Sequence, residues 1–134
     1  MEMEITFGGG KKVAASFKGF THRTDQPVES GGEATAPEPV DLFFAAIATC
    51  TGHTVLTFCR SRNLPVEGMR VTARLERDKK TKRVVKVRHE IRLPKSFPEK
   101  YEKALVRAAH TCTVKRYLED PPEIETVTTA AGEA

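Results

Sequence analysis

The chain has 134 residues, 39% hydrophobic and 30% charged, which suits one soluble domain of ordinary composition with a single core. A net charge of +4 and a pI near 9.1 are mildly basic. The densest cluster, Arg77 to Arg83 (RDKKTKR), lies between two alternating segments and has no interleaved aromatic residues, so it reads as a solvated turn and argues against a nucleic-acid partner.

Three widely spaced cysteines are not a secreted disulfide framework, and the opening MEMEITFGGG is not a basic segment followed by an apolar one. The expected compartment is therefore the reducing cytoplasm.

Residues 2–20 contain two short β-prone runs, EMEITF and KKVAASFKGF, about Gly8-Gly9-Gly10, which predicts an N-terminal hairpin. Residues 21–37 (THRTDQPVESGGEATAP) carry no periodicity, only Pro, Gly and polar residues, and read as a long loop in which Arg23 is the single guanidinium.

The next stretch predicts one long helix over 39–62. Pro39 suits the first turn, Glu38 or Asp41 places negative charge at the positive end of the dipole, and Asn63 with Pro65 supplies the stop. At ~1.5 Å per residue the rod is roughly 36 Å long. Its uninterrupted apolar run, Leu42 to Ala48, is far below the ~20 residues of a membrane span, so no membrane partner is expected.

At ~100° per residue, Cys50 shares its side with His53, Thr54 and Thr57, whereas Cys59 lies among apolar and small residues as a buried hydrophobe. Gly52, costing ~1 kcal/mol in mid-helix, implies the close approach of a second element.

Residues 66–93 form the next predicted hairpin. Met69, Val71, Ala73 and Leu75 alternate with charged residues, as do Val85, Val87, His89, Ile91 and Leu93, leaving one face of the pair apolar. His89 on that face reads as a core or edge histidine.

Ser96 to Glu99 fits a capping box, and residues 97–119 read as an amphipathic helix, a break and a further short helix. Cys112 falls at the start of that last piece, where peptide dipoles favour negative charge. Residues 123–129, with IETVTT at their centre, read as a final β-branched strand.

The chain is thus expected to be a single α+β domain over 1–134 with antiparallel pairing. Its few strands cover a largely apolar 39–62 helix poorly, which argues for a homodimer whose helices cross near Gly52.

The ordered set Thr24-Asp25-Gln26-Pro27, Gly31-Gly32, Pro39 to Ala46 leading to Thr49-Cys50, Leu93-Pro94, Phe97 to Tyr101 and Cys112 to Lys115 resembles the OsmC-like family, which includes organic hydroperoxide resistance proteins. The resemblance implies antiparallel sheets wrapped around two long central helices of an intertwined homodimer. It implies a thiol-dependent peroxidase that reduces small organic hydroperoxides, with Cys50 oxidised to a sulfenic acid, Cys112 resolving it, and an external dithiol as reductant.

It also implies an arginine and a glutamate beside the thiolate. Arg23 is the loop arginine, and Glu38 is the nearest glutamate, since Val40 occupies the position where one is expected. His53 is a further candidate base or charge partner. No cofactor and no metal are called for. The alternative is a non-catalytic OsmC-like dimer that binds a small apolar ligand.

Overall fold

The computed structural model describes residues 1–131, which fall into two compact units, residues 1–49 and residues from Cys50 onward. Three antiparallel strands build the first unit: β1 (Glu4–Phe7), β2 (Val13–Phe17) and β3 (Phe20–Thr24), in the order β1-β2-β3. The sheet extends past the expected hairpin, because β3 occupies the start of the expected loop and pairs from Phe17↔Phe20 to Val13↔Thr24. Its two-residue turn is Lys18-Gly19, both with positive φ (50° and 81°), the twist a tight hairpin needs. Lysine is an uncommon residue in that position, which hid the turn from sequence reasoning.

The rest of the predicted loop is ordered by one buried carboxylate. Asp25 is 1% exposed. Its Oδ1 accepts the Gln26 N–H (2.8 Å), and its Oδ2 accepts the N–H groups of Glu33 (3.3 Å) and Thr35 (3.1 Å) and the Thr35 hydroxyl (2.6 Å). A Cβ at Gly32 would collide with the Gln26 carbonyl, so this position needs glycine.

The Thr35 hydroxyl and N–H, then the Gln26 N–H, hold the Asp25 carboxyl at about 2. A carboxyl depressed by folding stabilises above its unfolded value and loses that contribution as pH falls through the folded one. The loop should therefore keep its order at pH 5 and lose it between about pH 4 and about pH 2. The Thr35 amide resonance, followed by NMR, should titrate near pH 2 in the wild type and lose that step in Asp25→Asn; a midpoint near 4 would contradict the cradle.

Helix α1 (Pro39–Ser61) contributes residues to both units. Pro39 takes its first position, and the Asp41 carboxylate accepts the Glu38 backbone N–H at 3.0 Å, closing the helix start. Asn63, in the left-handed conformation (φ 53°), ends it, with the Leu64 N–H returning to the Cys59 carbonyl at 2.9 Å. By length and composition α1 could cross a membrane: its most apolar window has a mean hydropathy of 1.6, and only 28% of that window is buried within the chain. The predicted close neighbour of Gly52 is not supplied by the described residues, since an added Cβ there would meet none of their atoms within 4 Å.

In the second unit β4 (Arg70–Arg77) and β5 (Val84–Arg92) pair antiparallel from Arg70↔Arg92, with an irregularity at Glu76/Arg77. The basic tip is a turn in which Asp78 Oδ1 accepts the N–H groups of Lys80 and Thr81, both at 2.8 Å. Helices α2 (Glu102–His110) and α3 (Thr113–Glu119) follow. The capping box expected at Ser96 does not form: a 3-10 turn, Glu99–Tyr101, begins after Pro98 with no side-chain cap. Buried Phe97 anchors the entry instead.

Apolar faces of three elements meet in the core. Val55, Phe58 and Cys59 come from α1, Leu105 and Ala109 from α2, and Phe97 from the segment between; Leu64, Val66, Met69, Ile91 and Leu93 pack around them. Burial pushes the Cys59 thiol up, against the opposing charge of Arg62, so this cysteine is a core residue.

The strand expected over 123–129 is absent. Residues 121–130 make no ladder, and Ile124 and Val127 are 87% and 72% exposed. A β-branched run becomes a strand only against a partner, and no strand edge among the described residues is paired with it.

Candidate functional site

The break between α2 and α3 places chemistry beside α1. Thr111 ends α2, its hydroxyl bonding the Ala108 carbonyl at 2.8 Å, and Cys112 then adopts an extended conformation as the N-cap of α3. The Cys112 sulfur accepts the Lys115 N–H at 3.4 Å, a role usually taken by a serine or aspartate oxygen. Cys112 is buried; Cys50, on the facing turn of α1, is partly exposed.

Partial burial opposes ionisation of the Cys50 thiol. Against it act the Val114 N–H, the Cys112 thiol, the Thr113 N–H and the charge of Lys115, and together they bring the thiol below its ordinary value. Cys112 and the first turn of α3 are thus neighbours of Cys50, and the Cys112 sulfur itself accepts an N–H of that turn. The expected placing of Cys112 at this helix start holds, since its sulfur accepts the Lys115 N–H; the effect of the same turn on Cys50 was not foreseen.

Cys50 opens on a cleft of about 440 Å³ lined by His53, Thr54, Thr57, Phe58, Ser61, Arg62, Ala108 and Thr113. His53, Thr54, Thr57, Ser61, Arg62 and Thr113 bring polar groups to its walls beside Phe58 and Ala108, because the side of α1 bearing Cys50 is its polar side. Arg62 is held there, its guanidinium 3.8 Å above the Phe58 ring and its Nη1 donating to the Phe58 carbonyl (3.1 Å) and the Ser61 hydroxyl (3.0 Å).

Of the remaining sequence-predicted residues, His53 is exposed and lines this cleft. Glu38 acts through its backbone, capping α1. Arg23 is exposed on β3 opposite Ala14, and with Lys12, Thr24 and Thr35 it lines a hollow of about 300 Å³ within the first unit. Sequence reasoning missed Lys115 and the N–H groups of Thr113 and Val114; the signal was Cys112-Thr-Val-Lys, a capping residue followed by a cation one turn later. No group of three or more His, Cys, Asp or Glu side chains arranged to hold a metal occurs among the described residues.

A similar fold recurs in solved proteins. One from Psychrobacter arcticus 273-4, described as osmotic-stress-induced and of a detoxification response, superposes with a TM-score of 0.73 at 22% identity over 85% of each chain. Another, described as an organic hydroperoxide resistance protein OsmC and a redox protein from Legionella pneumophila, gives a TM-score of 0.57 at 20% identity, covering 88% of this chain and 89% of that one. None of the curated proteins matches. The family described as OsmC-like protein matches residues 31–127, a span that holds α1, both hairpin strands of the second unit and both facing cysteines. The chain belongs to the OsmC-like family.

Proposed function

We propose that this protein is a thiol-dependent peroxidase that reduces small organic hydroperoxides through Cys50 and Cys112. The observation that carries the reading is that Cys50 opens on a cleft while Cys112, the N-cap of α3, neighbours it and helps to bring its thiol below the ordinary value. The Cys50 thiolate attacks the terminal oxygen of the hydroperoxide. The O–O bond breaks, the alkoxide leaves and takes a proton to become the alcohol, and Cys50 becomes a sulfenic acid. His53, on the same cleft, is the side chain placed to exchange that proton. The Cys112 sulfur then displaces water from the sulfenic acid to form a disulfide, and an external dithiol reduces it by exchange, restoring both thiols.

The active form in this reading is a homodimer in a reducing cytoplasm, with no membrane, nucleic acid, cofactor or metal. Supporting the dimer are the open space at Gly52 and the exposure of Val40, Phe43 and Leu56 along α1. Supporting a soluble helix are Thr49, Thr51, His53, Thr54 and Thr57, which interrupt its apolar surface. Arg23 and Glu38 remain candidate supports for the thiolate.

With a small dithiol and cumene hydroperoxide, the wild type should consume peroxide catalytically and Cys50→Ser should fall by about a thousandfold or to background. Equal consumption by the two proteins would leave only the non-catalytic ligand-binding dimer.

A further inference from the structure

The three-stranded sheet of the first unit carries a hollow of about 300 Å³ that the cysteine chemistry does not use. Residues directly opposite each other in an antiparallel ladder share a face, so the pairs Thr6↔Ala14 and Ala14↔Arg23 set a hydroxyl, a methyl and a guanidinium in one row. Lys12, two positions before Ala14, follows on the same side. Thr35 and Ala36 close the hollow from the segment that Asp25 holds. The small side chain of Ala14, in the middle strand, leaves the space open.

Charge and hydrogen-bond donors define what fits. The Lys12 ammonium is answered by the Glu33 carboxylate at 3.2 Å. None of the ion pairs among the described residues includes Arg23, so the hollow keeps one unanswered positive charge. Asp25 is not one of its walls, and that carboxylate is satisfied by its own hydrogen bonds. The Thr24 hydroxyl is given to the Val13 carbonyl and the Thr35 hydroxyl to Asp25, both at 2.6 Å. A phosphate would need more donors than remain and would set further negative charge beside Glu33. A carboxylate brings one charge and two oxygens, which a guanidinium fork matches. Val13, Ala14 and Ala36 offer carbon to the rest of the molecule. The volume lies at the lower end of the roughly 300–1,000 Å³ of small-molecule pockets, so that body is short.

The family resemblance gives the Arg23 guanidinium to the Cys50 thiolate; inside the first unit it borders this hollow. We propose that the hollow is a binding site for a small organic monocarboxylate, its carboxylate on Arg23 and its apolar body against Val13, Ala14 and Ala36. The site asks nothing of Cys50 or Cys112.

The test titrates hexanoate and its neutral analogue hexanamide into the full chain, with affinity read by calorimetry and location by the amide resonances of Ala14, Thr35 and Ala36. Hexanoate should bind saturably and shift those resonances, and hexanamide should bind at least about tenfold more weakly. Arg23→Gln should weaken hexanoate binding about tenfold, and Ala14→Leu, which keeps every charge and occupies the space, should abolish it. Arg83→Gln removes the same charge at the exposed tip of the other hairpin and should bind hexanoate as the wild type does. No hexanoate binding by the wild type, equal affinities for acid and amide, or wild-type affinity in Arg23→Gln overturns the proposal. Inorganic phosphate binding more tightly than hexanoate at the same resonances overturns the assignment of a carboxylate.

Discussion

Cys112→Ser should leave the first oxidation of Cys50 intact and stop the cycle after it. Serine is itself a good N-cap and can accept the Lys115 N–H that the Cys112 sulfur accepts now, so α3 should start where it does in the wild type. What is lost is the sulfur that condenses with the sulfenic acid. One equivalent of organic hydroperoxide should give a Cys50 sulfenic acid that dimedone traps, excess should drive it to sulfinic acid, and dithiol-dependent turnover should fall about a hundredfold. The check is mass spectrometry of the Cys50 peptide beside the steady-state rate. Wild-type turnover in this variant would remove Cys112 from the reaction.

Leu105→Ala should be the most destabilising of the simple core truncations. Leu105 is 1% exposed and joins α2 to Val55, Phe58 and Cys59 of α1 and to Phe97. Removing a buried leucine side chain loses its transfer free energy and leaves a cavity, about 3 kcal/mol together. Thermal unfolding should shift down by about 10 °C. Val106→Ala, at an exposed neighbouring position, should change stability by no more than about 0.5 kcal/mol. Because α2 leads directly into Cys112, the truncation should also slow disulfide formation at temperatures where the chain remains folded. Equal melting of the two variants would contradict this placement of the core.

The features that could be read from residues alone are those that repeat. The alternation from Val71 to Leu75 and from Val85 to Ile91 lies in the paired strands, and the run from Pro39 to Ser61, closed by Asp41 and Asn63, is a single helix. Features made by one side chain at long range were not legible. Asp25 and Thr35 are ten positions apart in a segment without periodicity, and nothing local announces that a carboxylate there collects four hydrogen bonds. The Lys18-Gly19 turn hid β3 for a similar reason: it is set by backbone conformation that its residue types only weakly encode.

Cys50 and Cys112 were picked out by helix face and by family resemblance. That the first turn of α3 acts on Cys50 as well as on Cys112 depended on how α2 breaks, and that is a property of the folded corner. The expected strand at 123–129 erred in the opposite direction, because β-branched composition fits a strand but cannot supply its partner.

The pairing of the two sulfurs is tested most directly by treating the reduced protein with one equivalent of organic hydroperoxide, blocking free thiols, and mapping the peptides without reduction. The account predicts one dominant cross-link, Cys50 to Cys112, with Cys59 recovered as a blocked thiol. Oxidation of Cys50 to sulfinic acid with Cys112 still free, or a cross-link through Cys59, would contradict it.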